Sequence, residues 1–209
     1  MSFVSDVGAE KLTLMKKLKN LIKTFIDVSE MKKSSHKTNT MENLTSIYDI
    51  TVMDLYSKDV HLSKYKGKVL LIVNYAETTY LAHDNVENLS RLALKYGYLG
   101  FQVLMFPSNT FYDNFGGNNA GIRLKREHPE FDVFSQVNVN GYHTHLLYKY
   151  LKNKLPGRVW KSEDITTSFF KFLIDRNGKP YQRFNSLELF ESIEEAMKEV
   201  LIKDFRFKL

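Results

Sequence analysis

Two apolar stretches joined by a helical pattern decide the fold: KVLLIVNY at residues 68–75 and FQVLMF at residues 101–106. Both are nearly continuous apolar runs, as is typical of strands that are buried on both faces of a sheet. Between them, residues 83–95 place apolar side chains at helical spacing, namely Val86, Leu89, Leu92 and Ala93. A strand, a helix and a second strand in this order predict an α/β domain.

A hairpin and a long helix complete the predicted sheet. Residues 169–175 form a further apolar run, and the dipeptide Asn177-Gly178 is a strong hairpin signal before residues 180–184. Ser186 or a neighbour is expected to cap a long closing helix. The early strand–helix–strand unit and the later hairpin together predict a mixed central sheet that is flanked by helices.

The remaining segments are shorter and more polar. Extended pieces are expected at residues 46–53 and 60–62, and a short helix is expected at residues 146–151. Residues 107–121 are predicted to form a loop rich in asparagine and glycine, followed by a helix to about Glu127.

Composition excludes several classes of protein. Of the 209 residues, 43% are hydrophobic and 26% are charged, which predicts a soluble globular domain. No apolar run reaches the roughly 18 residues that a membrane-spanning helix needs. The sequence contains no cysteine, so disulfides, zinc–thiolate sites and thiol nucleophiles are excluded within it.

A basic segment precedes the predicted domain. Residues 11–28 combine many lysines with apolar side chains at helical spacing, namely Leu14, Leu18, Leu21, Ile22 and Phe25. We therefore divide the chain into an extension with a polar linker, residues 1–45, and a domain, residues 46–209. Such a helix suits a protein partner or an anionic membrane surface, whereas a nucleic-acid partner is not favoured. A helix packed on the domain, or a tail without structure, is the alternative.

The extension also bears on the compartment. Lysines interrupt each of its apolar runs, so residues 1–40 do not form a secretory signal. Asp6 and Glu10 are acidic and arginine is missing, which makes the segment a poor transit peptide. We favour a cytoplasmic location and keep organelle targeting by residues 1–40 as the alternative.

Five segments of the predicted domain carry a family resemblance when they are taken in order. They are SIYDITVMDL from Ser46, LSKYKGKVLLIVNYA from Leu62, LALKYGYLGFQVLMFPSNTF from Leu92, FDVFSQVNVNGYHTHLLYKYLK from Phe131 and FFKFLIDRNGKPYQRF from Phe169. In this order they resemble the glutathione peroxidase family over about residues 45–203. The resemblance implies a thioredoxin-like fold. The short link between residues 151 and 165 resembles the compact branch, which implies a monomer.

The resemblance places the chemistry of the family at four positions. The peroxidatic cysteine or selenocysteine of the motif NxASxCG falls on Thr79, and the glutamine of FPxNQ falls on Thr110. The tryptophan and asparagine of WNF fall on Thr167 and Ser168, and the lone Trp160 lies upstream of that motif. All four family residues are therefore replaced in this sequence.

Replacement of the nucleophile removes the chemistry that the family uses. A thiolate attacks the peroxide O–O bond and becomes a sulfenic acid, which a second thiol reduces. A threonine hydroxyl has no such oxidation states, so Thr79 is not expected to support peroxide reduction. The resemblance implies that Gln, Trp and Asn bind the reactive sulfur or selenium. In a chain without that sulfur or selenium, these residues have no such role. No active catalytic residue, cofactor or metal is predicted.

Two other kinds of site are weaker candidates. Thr79 with His83 and Glu77 has the residue types of a hydrolase, because a hydroxyl nucleophile needs an adjacent base. The alternative is that Thr79 caps a helix and His83 lies on the surface. His143 and His145 are a potential metal pair without a clear third ligand, or else a surface pair.

Aromatic residues surround the position of the former active site in the layout that the resemblance implies. They are Tyr75, Tyr80, Phe111, Tyr112 and Phe115. They either form an exposed patch suited to a protein partner or pack under the adjoining loop.

Three functions follow from these observations. The first is a pseudoenzyme of the glutathione peroxidase family with a binding or structural role. The second is a glutathione peroxidase that reduces hydroperoxides in the oxidative stress response with an external thiol donor. The third is a repurposed hydrolase or metal-binding protein.

Overall fold

The computed structural model describes residues 41–108, 117–157 and 164–203. These residues belong to one compact unit, Thr40–Leu209. The predicted N-terminal helix, Thr110, Trp160 and three of the five candidate aromatic residues lie outside the described residues. The division of the chain at residue 45 stays a prediction.

A five-stranded sheet with the strand order β5-β4-β3-β6-β7 forms the centre of the domain. Strands β3 and β4 are parallel, whereas β3 pairs antiparallel with β6, and β6 pairs antiparallel with β7. The predicted sheet of mixed direction is therefore confirmed. The five strands are β3 (Val69–Tyr75), β4 (Phe101–Pro107), β5 (Asp132–Val133), β6 (Lys171–Ile174) and β7 (Pro180–Phe184).

Strand β3 is buried along its whole length because both faces of the sheet are covered. Its side chains alternate between two apolar clusters, with Leu71 and Val73 in one and Leu70 and Ile72 in the other. A strand in this position must be apolar at every residue, and so the continuous apolar pattern predicted it correctly.

In the described ranges, four helices cover the sheet: α1 (Ala82–Tyr96), α2 (Gly117–Glu127), α3 (Leu146–Lys154) and α4 (Phe190–Lys203). Helices α1, α2 and α4 pack on the face that carries Leu71 and Val73. Helix α3 packs on the opposite face, together with a small hairpin of β1 (Thr51–Met53) and β2 (Asp59–His61). None of the helices in the described ranges is long and apolar enough to cross a membrane.

Three predicted segments differ from the structure. Residues 46–53 begin with a 3-10 turn, Ile47–Asp49, because the Ser46 side chain accepts a hydrogen bond from the Tyr48 amide and caps the turn. The helix predicted to follow residue 121 begins earlier, at Gly117. The predicted cap Ser186 lies four residues before α4, and Leu189 accepts the first amide bond of that helix instead.

The hairpin between β6 and β7 has the geometry that Asn177-Gly178 predicted. Gly178 has a φ of +75°, which favours glycine, and the Asp175 side chain accepts hydrogen bonds from the Asn177 and Lys179 amides at 2.9 and 2.8 Å. The turn therefore takes the chain directly back along the sheet.

Candidate functional site

Three segments meet at the carboxyl end of β3. The Ser108 amide donates to the Tyr75 carbonyl at 2.9 Å, and the Phe169 amide donates to the Asn74 carbonyl at 2.7 Å. The Asn74 side-chain amide also donates to the Thr167 carbonyl at 3.1 Å. The end of β4 and the segment before β6 are thereby held against the end of β3, where the β3–α1 loop begins.

Thr79 lies in that loop, just before the start of α1. Its hydroxyl oxygen accepts a hydrogen bond from the Leu81 amide at 3.4 Å, and its carbonyl accepts one from the Ala82 amide at 3.0 Å. The side chain is half-buried. These bonds form a local turn before the helix, whose N-cap is Leu81 and which has no side-chain cap.

The geometry does not assemble a hydrolase around Thr79. Glu77 binds Arg123 of α2 through two hydrogen bonds, one of them 2.6 Å long between Arg123 Nε and Glu77 Oε1. This ion pair holds the pKa of Glu77 below its usual range. His83 is exposed, and within the described residues neither Thr79 nor Glu77 forms a hydrogen bond with it. The carboxylate that would orient a catalytic histidine is thus engaged elsewhere.

Thr167 and Ser168 precede β6, next to Asn74. The Thr167 side chain is exposed, and its hydroxyl donates to the Ser186 hydroxyl at 2.7 Å. Ser168 is buried. A groove of about 620 Å³ opens beside Thr167, and the segment 185–189 forms much of its wall.

The residue after Ser168 has an unusual backbone. Phe169 is fully buried and has a φ of +65°, in the left-handed region that L-residues other than Asn and Asp rarely adopt. The sequence carries no signal for this conformation, because phenylalanine is a poor residue for it.

Lys171 is a second feature of this region that sequence reasoning missed. It is fully buried on β6, and its ammonium group donates to the carbonyls of Phe169 at 2.9 Å and Ser186 at 3.5 Å. Burial lowers the pKa of Lys171 to about 7, and the nearby Glu188 carboxylate opposes this change. Lysine is rarely buried in proteins, so its presence in the apolar run of residues 169–175 did not predict burial.

The aromatic candidates divide between core and surface. Tyr75 is buried and packs edge to face against Phe169, with ring centroids 5.9 Å apart. Burial raises the pKa of the Tyr75 hydroxyl well above its usual range. Tyr80 is 87% exposed. The described part of the predicted patch therefore contains one exposed aromatic residue rather than a cluster.

The two histidines of the potential metal pair have different surroundings. His145 Nδ1 accepts a hydrogen bond from the Leu147 amide at 3.2 Å and caps α3, and burial lowers the pKa of this imidazole. His143 is exposed and packs against the Tyr142 ring. The described ranges contain no group of three His, Asp or Glu side chains arranged to hold a metal ion.

Comparison with known proteins identifies the family. The family model for glutathione peroxidase matches residues 47–152. A probable phospholipid hydroperoxide glutathione peroxidase of Helianthus annuus is 42% identical over 151 residues, which cover 71% of this chain and 83% of that protein.

The chain belongs to the glutathione peroxidase family. Another relative, the probable phospholipid hydroperoxide glutathione peroxidase 6, mitochondrial, of Arabidopsis thaliana, is 38% identical over 179 residues. These cover 83% of this chain and 75% of that protein.

Solved structures agree with this family and with its fold. The crystal structure of T. cruzi GPX1 has a TM-score of 0.62 and 32% sequence identity, covering 75% of this chain and 97% of that one. A thioredoxin-family thiol:disulfide interchange protein from Chlorobium tepidum shares the fold alone, with a TM-score of 0.55 at 13% identity over 73% of this chain and 92% of that one. The predicted thioredoxin-like fold of this glutathione peroxidase family member is confirmed.

Proposed function

We propose that this glutathione peroxidase family member does not reduce hydroperoxides and acts as a pseudoenzyme with a binding role. The observation that carries the proposal is Thr79, which stands at the position of the peroxidatic residue in a sequence without cysteine. Its hydroxyl oxygen serves the backbone at the start of α1 and has no accessible oxidation states.

The surroundings of Thr79 support the same conclusion. Glu77 forms a charge-assisted pair with Arg123, which ties the β3–α1 loop to α2. Thr167 and Ser168 carry hydroxyl groups in place of the aromatic and amide groups of the family motif. No thiol is present for these groups to orient.

Hydroperoxide reduction with an external thiol donor is the second candidate function. The names of the relatives favour it, since they are called glutathione peroxidases in plants. It would require a redox-active group other than cysteine in this chain. The seven methionines are the only sulfur atoms in the sequence, and thioether oxidation is stoichiometric unless a reductase reverses it.

Peptide mapping after exposure to a hydroperoxide distinguishes the two functions. The purified protein is treated with hydrogen peroxide and with a lipid hydroperoxide, each with and without glutathione, and added oxygen is located by mass spectrometry. We expect oxygen on methionines alone, unaffected by glutathione. Oxygen that appears on another residue and is removed by glutathione would support the peroxidase function.

The binding role has the basic segment at residues 11–28 as its first candidate for contact. Its lysines and interleaved leucines suit an anionic membrane surface or an acidic protein partner. The two Arabidopsis thaliana relatives named mitochondrial and the one named chloroplastic make organelle targeting by residues 1–40 an alternative use of this segment. A cytoplasmic location remains our prediction for the chain as a whole.

A further inference from the structure

Among the residues that the structure describes, Lys171 has no carboxylate partner, unlike most buried lysines. Its ammonium group binds two backbone carbonyls and lies 5.1 Å from the centre of the Phe190 ring. Within the described residues, no Asp or Glu side chain forms an ion pair with it. A buried charge is costly without compensation. The two carbonyl groups that bind the ammonium group are therefore the parts of the structure that its charge holds in place.

The first of these contacts is to a strained backbone. Phe169 adopts a left-handed conformation, which costs free energy in any residue with a Cβ atom. Both of its backbone polar groups are held, the amide by the Asn74 carbonyl at 2.7 Å and the carbonyl by Lys171 at 2.9 Å. Such a conformation persists when its surroundings hold it from both sides.

The second contact is to the segment between β7 and α4. This segment begins at Ser186, whose carbonyl faces Lys171 and whose hydroxyl accepts from Thr167. It continues through Leu187 and Leu189, which are 71% and 68% exposed, and it lines the groove beside Thr167. Lys171 therefore lies behind the wall of that groove and joins it to Phe169.

We propose that Lys171 is a charge-dependent clamp. Its ammonium group holds the left-handed backbone of Phe169 and the segment at Ser186 together, and loss of its proton loosens both. The groove beside Thr167 then changes shape with the protonation of a single buried side chain.

The groups around Lys171 determine whether the clamp tightens or loosens as the pH rises. The residues paired with it across the sheet, Val73 on β3 and Phe184 on β7, do not titrate, and neither does Phe190 on α4. Glu188 is the one charged group of the described residues that acts on it. Because burial lowers the pKa of Lys171 to about 7, the clamp is charged and tight below pH 7 and is released above it.

Nuclear magnetic resonance of the full chain tests the clamp. We expect the Lys171 Nζ resonance to titrate near pH 7, together with the backbone amides of Phe169 and of residues 186–189. Because charged donors form stronger hydrogen bonds, the hydrogen-exchange protection of the Phe169 amide should fall by about fivefold between pH 6 and pH 8, after correction for intrinsic exchange.

The matched control is Lys152, the other buried lysine of the described ranges, which has the carboxylate partner Asp164 at 3.3 Å. Lys171→Met should abolish the titration of the residue 186–189 amides, whereas Lys152→Met should leave it unchanged. A titration that survives in Lys171→Met overturns the proposal. If that variant does not fold, the wild type still decides: a Lys171 Nζ that titrates near its ordinary pKa of 10.5 also overturns it.

Discussion

At the scale of single residues, the proposed loss of peroxidase activity rests on Thr79. Its hydroxyl oxygen accepts a hydrogen bond from the Leu81 amide just before α1, and the β3–α1 loop contains no sulfur. The proposal extends to Thr167 and Ser168, which the family resemblance places at the positions of the supporting tryptophan and asparagine.

The first prediction concerns restoration of the nucleophile. Thr79→Cys should react with hydrogen peroxide about as slowly as an ordinary exposed thiol, because the groups that would lower its pKa and bind it are absent. Stopped-flow measurement of thiol loss gives the rate, with the denatured variant as the control. A rate that exceeds the control by several orders of magnitude would show that the site is still organised for peroxidase chemistry.

The second prediction concerns Lys171 and the free energy of unfolding. Its pKa is about 7 in the folded protein and near 10.5 in the unfolded chain, so the folded state holds this proton more weakly. The cost of burying the charged form is fully present below pH 7 and is gone above pH 10.5, although the hydrogen bonds of the charged clamp are the stronger ones. Between these limits, the free energy of unfolding should rise by at most about 1.4 kcal/mol per pH unit because of this group.

Urea unfolding of the wild type and of Lys171→Met measures this effect. From pH 7 to pH 9, the free energy of unfolding of the wild type should rise relative to that of Lys171→Met. A difference that stays constant over this range would mean that Lys171 titrates normally in the folded protein.

At the scale of elements, Glu194 joins α1 to α4. Its carboxylate accepts hydrogen bonds from Tyr96, from Lys95 at 2.9 Å and from Lys198 at 3.4 Å. The hydrogen bond from the Tyr96 hydroxyl, and after it those from the two lysines, lower the pKa of Glu194 to about 2. Two neighbouring helices on one face of the sheet are thereby linked at their exposed edge.

Acid unfolding tests the Glu194 network. Because the pKa of Glu194 is lowered on folding, its stabilisation is present above about pH 4.3 and is lost as the pH falls towards 2. Glu194→Gln should lower the free energy of unfolding at pH 7 by about 1 kcal/mol or less, since its lysine partners are half-exposed and screened. The variant and the wild type should converge at pH 2, and a loss that persists there would point to packing instead.

The elements also show how far sequence reasoning reached. Strands β3 and β4 were predicted closely because a strand buried on both faces must be apolar throughout, and Asn177-Gly178 predicted the hairpin because its turn needs a positive φ. The start of α4 was missed because Ser186 bonds to Thr167, a contact between residues 19 positions apart. The Glu77–Arg123 pair spans 46 positions, and such contacts exist only once the fold has formed.

At the scale of the whole molecule, Leu44 and Thr45, which precede the predicted domain, contact it. Leu44 is buried in the core, and the Thr45 carbonyl accepts a hydrogen bond from Tyr150 at 3.2 Å. Removal of residues 1–40 should therefore leave the folded domain intact, with a far-UV circular dichroism spectrum and a cooperative melting transition like those of the full chain.

The same truncation tests the proposed binding role. The full chain should sediment with vesicles that contain phosphatidylserine at low salt, and less at high salt, because the contact is electrostatic. The truncated chain should stay in solution, and vesicles of phosphatidylcholine alone are the control. Equal sedimentation of both chains would assign membrane binding to the domain, and failure of both to sediment would leave a protein partner as the contact.

The steady-state turnover of hydroperoxide by the purified chain tests the central claim most directly. Hydrogen peroxide and a lipid hydroperoxide are supplied with glutathione or thioredoxin in separate runs, beside a cysteine-containing relative as the positive control. We predict that the folded chain consumes hydroperoxide no faster than buffer and that Thr79→Val makes no difference. Turnover that survives purification and falls in Thr79→Val would contradict the account and show that a thiol-free site reduces peroxide.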